Sequence, residues 1–204
     1  MKRPAASRPA ASSKALPKAR RLPGDDDHIE MTKKIAPRPY GVDRIYGSDC
    51  SGLDGGAIAL ENSRPAFVHE FSCEVDVAYN EVTRHVHPLC RYHYRDVTRR
   101  NFEEFAHVHR GTNIYTAGFP CQPFSKAGRK LGALDAEGRG LIIYFIIETI
   151  RVLLPTVFIL ENVMEITTPR FKAFFDEILL ELGEINGGIY EVPGRSNRRD
   201  RHIV

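Results

Sequence analysis

The order of its apolar runs predicts an α/β protein, a mostly parallel sheet with helices on both faces. Three observations carry that prediction. Short strand-like runs alternate with stretches at helical spacing from residue 42 onward. The first of those runs passes into a helix through a glycine turn, CSGLDGG at 50–56. The last, TVFILEN at 156–162, is a continuously apolar strand-like run.

Taken in order, VDRIYGS (42–48) reads as a strand, the glycine turn follows, and AIALEN (57–62) as a helix. AFVHEFS (66–72) is a second strand, and VAYNEVTRHV (77–86) a second helix. NIYTA (113–117) is a third strand, and after a proline-stiffened loop GLIIYFIIETIRVLL (140–154) forms a core helix. Its apolar run is far shorter than the roughly 20 residues a membrane span needs. TVFILEN is the next strand, and FKAFFDEILLELG (171–183) a helix with Gly183 as its stop.

Residues 1–39 read as a disordered basic tail and linker, and 40–204 as the folded domain. The 204-residue chain carries a net charge of +3, but residues 1–24 hold seven Lys or Arg and no acid, leaving −4 for the remainder. That tail is rich in Ala, Pro and Ser and cannot bury enough surface to offset the cost of ordering. It reads as a solvated leader, as a nuclear-import or DNA-backbone contact if the source is eukaryotic, or as an organelle transit peptide. Its four prolines count against a presequence helix, and the absence of an apolar core counts against a secretory signal. The four cysteines, Cys50, Cys73, Cys90 and Cys121, show no paired spacing and are expected to be reduced. His85, His87, Cys90 and His93 match no usual zinc spacing; no metal is expected, and these residues, with His107 and His109, read as helix-end or surface positions.

In a parallel sheet, ligands bind at the carboxyl ends of the strands. The first strand ends in small residues, where backbone can approach a bound cofactor and a helix N-terminus offers free N–H groups. The second ends in SCEVD, with Glu74 placed where nucleotide-type cofactors have their ribose hydroxyls held. The third leads to Cys121 in GFPCQPF and the fourth to Glu161 in ILENV. A half-buried carboxylate is costly without a partner, and a thiol nucleophile beside a carboxyl group able to hold a proton is a reactive pair.

GFPCQPFSKAG, ENV and SGLDGG, in this chain from about Val42 to Val204, resemble the C5-cytosine DNA methyltransferase family. The resemblance implies a Rossmann-like S-adenosylmethionine-dependent methyltransferase fold, with Cys121 as nucleophile on C6 of a flipped cytosine and Glu161 acting at ring N3. Arg199 and Arg201 match an Arg-x-Arg pair of the catalytic pocket. It implies cofactor binding by Cys50, Ser51, Gly52, Leu53, Gly55, Glu74, Val75, Asp96, Val97, Gly118, Pro120 and Leu141, with Arg139 and Gly140 ahead of the next helix. Gln122, Ser125 and Asn162 are implied on the substrate side, Asn162 holding the nucleophile loop.

Several positions depart from that pattern. Ser48 and Cys50 replace an Asp and a Phe, removing a ring that packs on adenine; Asp54 replaces a Gly and is expected to crowd the methionine end with negative charge. Asn197 replaces a Gln before the Arg pair. The family continues with a target-recognition region and a C-terminal segment, so the domain is expected to be incomplete at its C-terminal end. The implied partner is DNA, with RNA as the alternative and a second polypeptide completing the fold. The rival expectation is a weak or inactive domain that binds cofactor or a partner chain.

Overall fold

The computed structural model describes residues 17, 29–31, 41–63, 66–125, 132–135 and 137–192. Within them lie six strands: β1 (Ile29–Met31), β2 (Ile45–Asp49), β3 (Val68–Cys73), β4 (Tyr92–Tyr94), β5 (Ile114–Gly118) and β6 (Val157–Glu161). The helices are α1 (Gly55–Asn62), α2 (Val77–Val86), α3 (Phe102–Val108), α4 (Ile142–Leu153) and α5 (Lys172–Glu184), joined by short 3₁₀ turns. The strands form one sheet in the order β1-β4-β3-β2-β5-β6. Strands β2 to β6 pair in parallel, and β1 pairs antiparallel with β4 through Ile29↔Tyr94 to Met31↔Tyr92.

The predicted strands and helices are all present, with ends shifted by a few residues. Three elements escaped the sequence reading. β4 carries Tyr-His-Tyr between charged residues, α3 has only seven residues, and β1 falls in the stretch taken as tail and linker. Gly183 does not end α5, which runs one residue past it.

One face of the sheet carries the hydrophobic core. Phe71, Tyr94 and Tyr115 pack there against Phe105 of α3, Ile143, Ile146, Ile147 and Ile150 of α4, and Ile178 and Leu182 of α5. α4 has apolar residues around most of its circumference because it is buried between sheet and helices. β2 and β3 approach so closely that a Cβ on Gly47 would lie 2.1 Å from the Phe71 ring, so only glycine fits there. The opposite face is polar and is covered by α1 and α2. It buries Tyr46, Ser48, Asp54, His69, Thr83 and His87.

Candidate active site

The turn after β2 is built from left-handed residues, Cys50 (φ 49°), Gly52 (φ 54°) and Asp54 (φ 56°). Glu74, at the end of β3, ties it to the next strand. The Gly52 amide donates to Glu74 Oε2 at 2.8 Å, and the Asp76 amide to Oε1 at 2.9 Å. The Thr83 hydroxyl donates to the Gly52 carbonyl at 2.6 Å. Each Glu74 oxygen retains an acceptor site, as a ribose-binding carboxylate requires. Asp96 caps the following 3₁₀ turn, accepting from the Thr98 amide at 2.9 Å and its hydroxyl at 2.8 Å.

These turns border a cavity of about 560 Å³ at the carboxyl ends of the strands, the size and place expected for a nucleotide-like ligand. Of the residues expected to bind cofactor, Cys50, Gly52, Glu74, Val75 and Asp96 line it. So do Val97, Gly118, Pro120 and Leu141, joined by Gln122 from the substrate set. Ser51, Leu53 and Gly55 do not line it. Ser51 instead turns its hydroxyl to Ser72 (2.8 Å) and the Cys73 carbonyl (3.2 Å). Tyr79, Arg95, Thr98, Ile142 and Phe145 line the cavity without having been expected there, because they fall between the recognisable strand ends.

Cys121 follows β5 on the Phe119–Pro120 loop and is partly exposed. Its carbonyl accepts from the amides of Phe124 and Ser125, each at 2.9 Å, closing a tight turn. Glu161 ends β6 directly across from Gly118. Asn162 fastens the two loops: its Nδ2 donates to the Phe119 carbonyl at 2.9 Å, while its Oδ1 accepts from the Val163 amide at 2.8 Å. Parallel register thus brings Cys121 and Glu161 to adjacent loops; neither lines the cavity itself, but Gly118, Pro120 and Gln122 next to them do. Glu161 is exposed rather than half-buried, so the cost of burial is not what marks it. By contrast, burial pushes the thiols of Cys73 and Cys90 well above the ordinary value, so they are held protonated.

Asp54 does not crowd the cavity. It is buried on the other face of the sheet, where it caps α1 through the Ala57 amide (3.3 Å) and accepts from Tyr46 Oη (2.6 Å) and Ser48 Oγ (2.7 Å). His69 Nε2 sits 3.1 Å from Asp54 Oδ2, the oxygen that Ser48 also bonds. Burial alone would raise its pKa, but His69, Tyr46 and Ser48 together hold it below the usual carboxylate range. Ser48 and Asp54, two separate departures in the sequence, are therefore one interaction in space.

A second buried pair was not foreseen. Arg100 grips Asp49 with both terminal nitrogens, at 2.7 and 2.6 Å, and donates to Thr149 Oγ1 at 2.6 Å. Tyr115 Oη adds a 2.6 Å bond to Asp49, and the guanidinium lies 3.8 Å from the Phe105 ring centroid. Burial opposes the Arg100 charge, yet Asp49 keeps its pKa above the ordinary arginine value. A lone Asp and a lone Arg 51 residues apart give no signal in one sequence.

The histidines need correction too. His87, Cys90, His93 and His109 are buried, not on the surface. His87 contacts Glu61 and the Leu53 carbonyl, Cys90 donates to the Tyr92 carbonyl, and His109 meets Tyr94 Oη at 2.6 Å. Arg139 pairs with Asp135 at 2.8 Å at the cavity edge. Ser125 is partly buried in the turn after Cys121. Asn197, Arg199 and Arg201 lie outside the described residues.

Comparison with known proteins places this geometry. Residues 48–193 match the model of the C-5 cytosine-specific DNA methylase family. The type II methyltransferase M.HgiCI of Herpetosiphon aurantiacus is 30% identical over 153 residues, 72% of this chain and 34% of that protein. M.AluI of Cellulosimicrobium cellulans is 47% identical over 92 residues, 45% of this chain and 17% of that protein. The chain thus spans about a third or less of the length of these relatives. Among solved structures, the S. pombe Dnmt2 methyltransferase aligns with a TM-score of 0.50 at 19% identity, covering 67% of this chain and 41% of that one. A Spodoptera frugiperda DNMT2 variant aligns at 0.51, also 19% identical, covering 69% and 41%. These two alignments show the shared Rossmann-like fold. The match across 48–193, containing both strand-end motifs, settles the rest: the chain belongs to the C-5 cytosine-specific DNA methylase family.

Proposed function

We propose that this chain is the catalytic lobe of a cytosine-C5 methyltransferase acting on DNA with S-adenosylmethionine. One observation carries the reading: the Gly118↔Glu161 register sets Cys121 and Glu161 on adjacent loops, next to the cavity-lining Gly118, Pro120 and Gln122. The cavity's residues fit an adenosyl ligand, with Glu74 open to ribose hydroxyls and Asp96 and Val97 lining the wall beyond. S-adenosylmethionine supplies an electrophilic methyl group there when bound.

Cys121 Sγ adds to C6 of an extruded cytosine, forming a C–S bond and shifting electron density to C5. Glu161 meets the ring at N3 and stabilises the charge that develops there. Asn162 keeps the two loops in step through the Phe119 carbonyl. Once C5 carries the methyl group, loss of the C5 proton breaks the C–S bond and frees Cys121.

A further polypeptide segment against β6 is part of this proposal. β6 is the edge of the sheet among the described residues, with Val157 47% and Ile159 60% exposed, and such an edge favours a partner. The basic residues 1–24 support a nuclear address or a contact with the phosphate backbone.

The test is covalent trapping on duplex DNA carrying 5-fluorocytosine, with S-adenosylmethionine and a Cys121→Ala control. Fluorine at C5 blocks the last elimination, so a denaturant-stable adduct present in wild type and absent in Cys121→Ala is expected. A folded chain that forms no adduct on DNA but does so on fluorocytosine RNA would replace the substrate. No adduct on either would sink the enzymatic reading.

A further inference from the structure

The wall of the cavity holds an aromatic side chain with no role in the scheme above. Tyr79 lies one turn into α2 and is 51% exposed, yet it lines the cavity. The other aromatic there, Phe145, is buried in the core. Position 50, on the turn after β2, offers only a cysteine. Among the described residues, no ring stacks on Tyr79 and no side chain bonds its hydroxyl.

The backbone beneath Tyr79 is nonetheless fixed. Asp76 Oδ1 accepts from the amides of Ala78 (2.9 Å) and Tyr79 (3.1 Å), capping the helix start. Asn80 Nδ2 bridges the carbonyls of Glu74 and Tyr94, at 3.1 Å each, and pins the helix to two strand ends. A half-exposed ring on a rigid helix turn has little backbone freedom left to lose on binding, which favours affinity. It also stands five residues from Glu74, the carboxylate placed for a ribose, and shares the cavity with Val97.

We propose that Tyr79 is a ligand-recognition residue whose ring closes over the purine of the bound S-adenosyl compound. The inference rests on the adenosyl reading of this cavity and adds to it the residue that supplies the stacking surface. The ring is the working part and the hydroxyl is dispensable, because a purine needs a π-face and apolar area.

The chain contains no tryptophan, so Tyr79→Trp installs a lone indole at the site. With the full chain, S-adenosylhomocysteine is titrated by calorimetry into wild type, Tyr79→Phe and Tyr79→Ala, and by fluorescence into Tyr79→Trp. Expected are wild-type affinity within about twofold for the Phe variant, a loss of about tenfold or more for the Ala variant, and saturable quenching of the indole. Melting temperatures check that each variant is folded. Tyr79→Ala binding as tightly as wild type, or an indole unmoved at saturation, would overturn the assignment while leaving the adenosyl reading intact. Absence of binding by folded wild type would overturn both.

Discussion

Gly118 and Glu161 face each other in register across β5 and β6, and a Cβ built on Gly118 would lie 3.5 Å from Glu161 Oε2. The same Cβ would be 3.8 Å from the Cys50 carbonyl. The position therefore touches the carboxylate on one side and the cofactor turn on the other. Alanine fits at ordinary contact distance, whereas a branched side chain must push one neighbour away. Gly118→Ala should keep S-adenosylhomocysteine affinity within a few-fold, and Gly118→Val should weaken it by about tenfold or more, corresponding to about 1.4 kcal/mol. Calorimetry on the two variants decides it; equal affinities would show that the space is not used.

Asp54 is expected to matter for folding and not for the ligand. Asp54→Ala removes the α1 cap and takes from the Tyr46 and Ser48 hydroxyls the carboxylate they share, leaving Tyr46 with Thr116 Oγ1. From a lost cap of about 1 kcal/mol and an unsatisfied buried group of about 1–3 kcal/mol, the variant should lose on the order of 3 kcal/mol. Urea unfolding measures the loss, and ligand titration of the folded variant should give wild-type affinity. A large drop in affinity at unchanged stability would place Asp54 at the cavity after all.

The Asp49–Arg100 pair predicts a non-additive pattern. Arg100→Met leaves the Asp49 carboxylate buried with only hydroxyl partners and should cost about 3–5 kcal/mol. Asp49→Leu strands Arg100 with a similar loss. The double variant should be far less damaged than the two losses added, because no uncompensated charge remains. Strict additivity in denaturant melts would mean that the two charges do not interact.

Stability should fall in mild acid through His93. Both ring nitrogens are buried without a hydrogen-bond partner. Burial first, then the positive charge of Arg84 and the imidazoles of His69 and His87, lower its pKa to about 4, with Asp54 opposing. In the unfolded chain the group titrates near 6.5. Between those values the unfolded state binds the extra proton, so folding free energy declines as pH drops from about 6.5 to about 4, by up to roughly 3 kcal/mol. Urea midpoints from pH 7.5 to 4.5 should show this slope, and His93→Phe should flatten it. A slope identical in the variant would assign the acid sensitivity to a group other than His93, and Asp54 would not be that group. Its carboxyl, held low by His69, Tyr46 and Ser48, contributes stability that is lost only at lower pH, as it protonates.

Much of this protein was legible before any coordinates. Alternating periodicity identified the parallel strands, since an apolar run such as Phe158–Leu160 has few other uses. The rule that parallel sheets bind at their carboxyl ends pointed to Glu74, Cys121 and Glu161 as neighbours, while Asp96, after the unrecognised β4, came only from the family resemblance. Local signals sufficed because each is carried by contiguous residues. β1, β4 and α3 were missed for the complementary reason: each is too short or too polar to show a period, and is ordered by the sheet it joins rather than by its own propensity.

What tertiary structure alone decided is the partnering of polar groups across distance. In sequence, Asp54 looked like an intruder at the cofactor, His93 and His109 like surface residues, and Arg100 like one of many arginines. Folding turns Asp54 toward Ser48 and His69, closes aromatic rings over His109, and draws Arg100 onto Asp49. Sequence pattern reports where the chain meets water on average, and so determines strands, helices and the ends where ligands bind. The charge of a buried group is set by which few atoms lie within about 3 Å of it, and the fold chooses those atoms from residues tens of positions away.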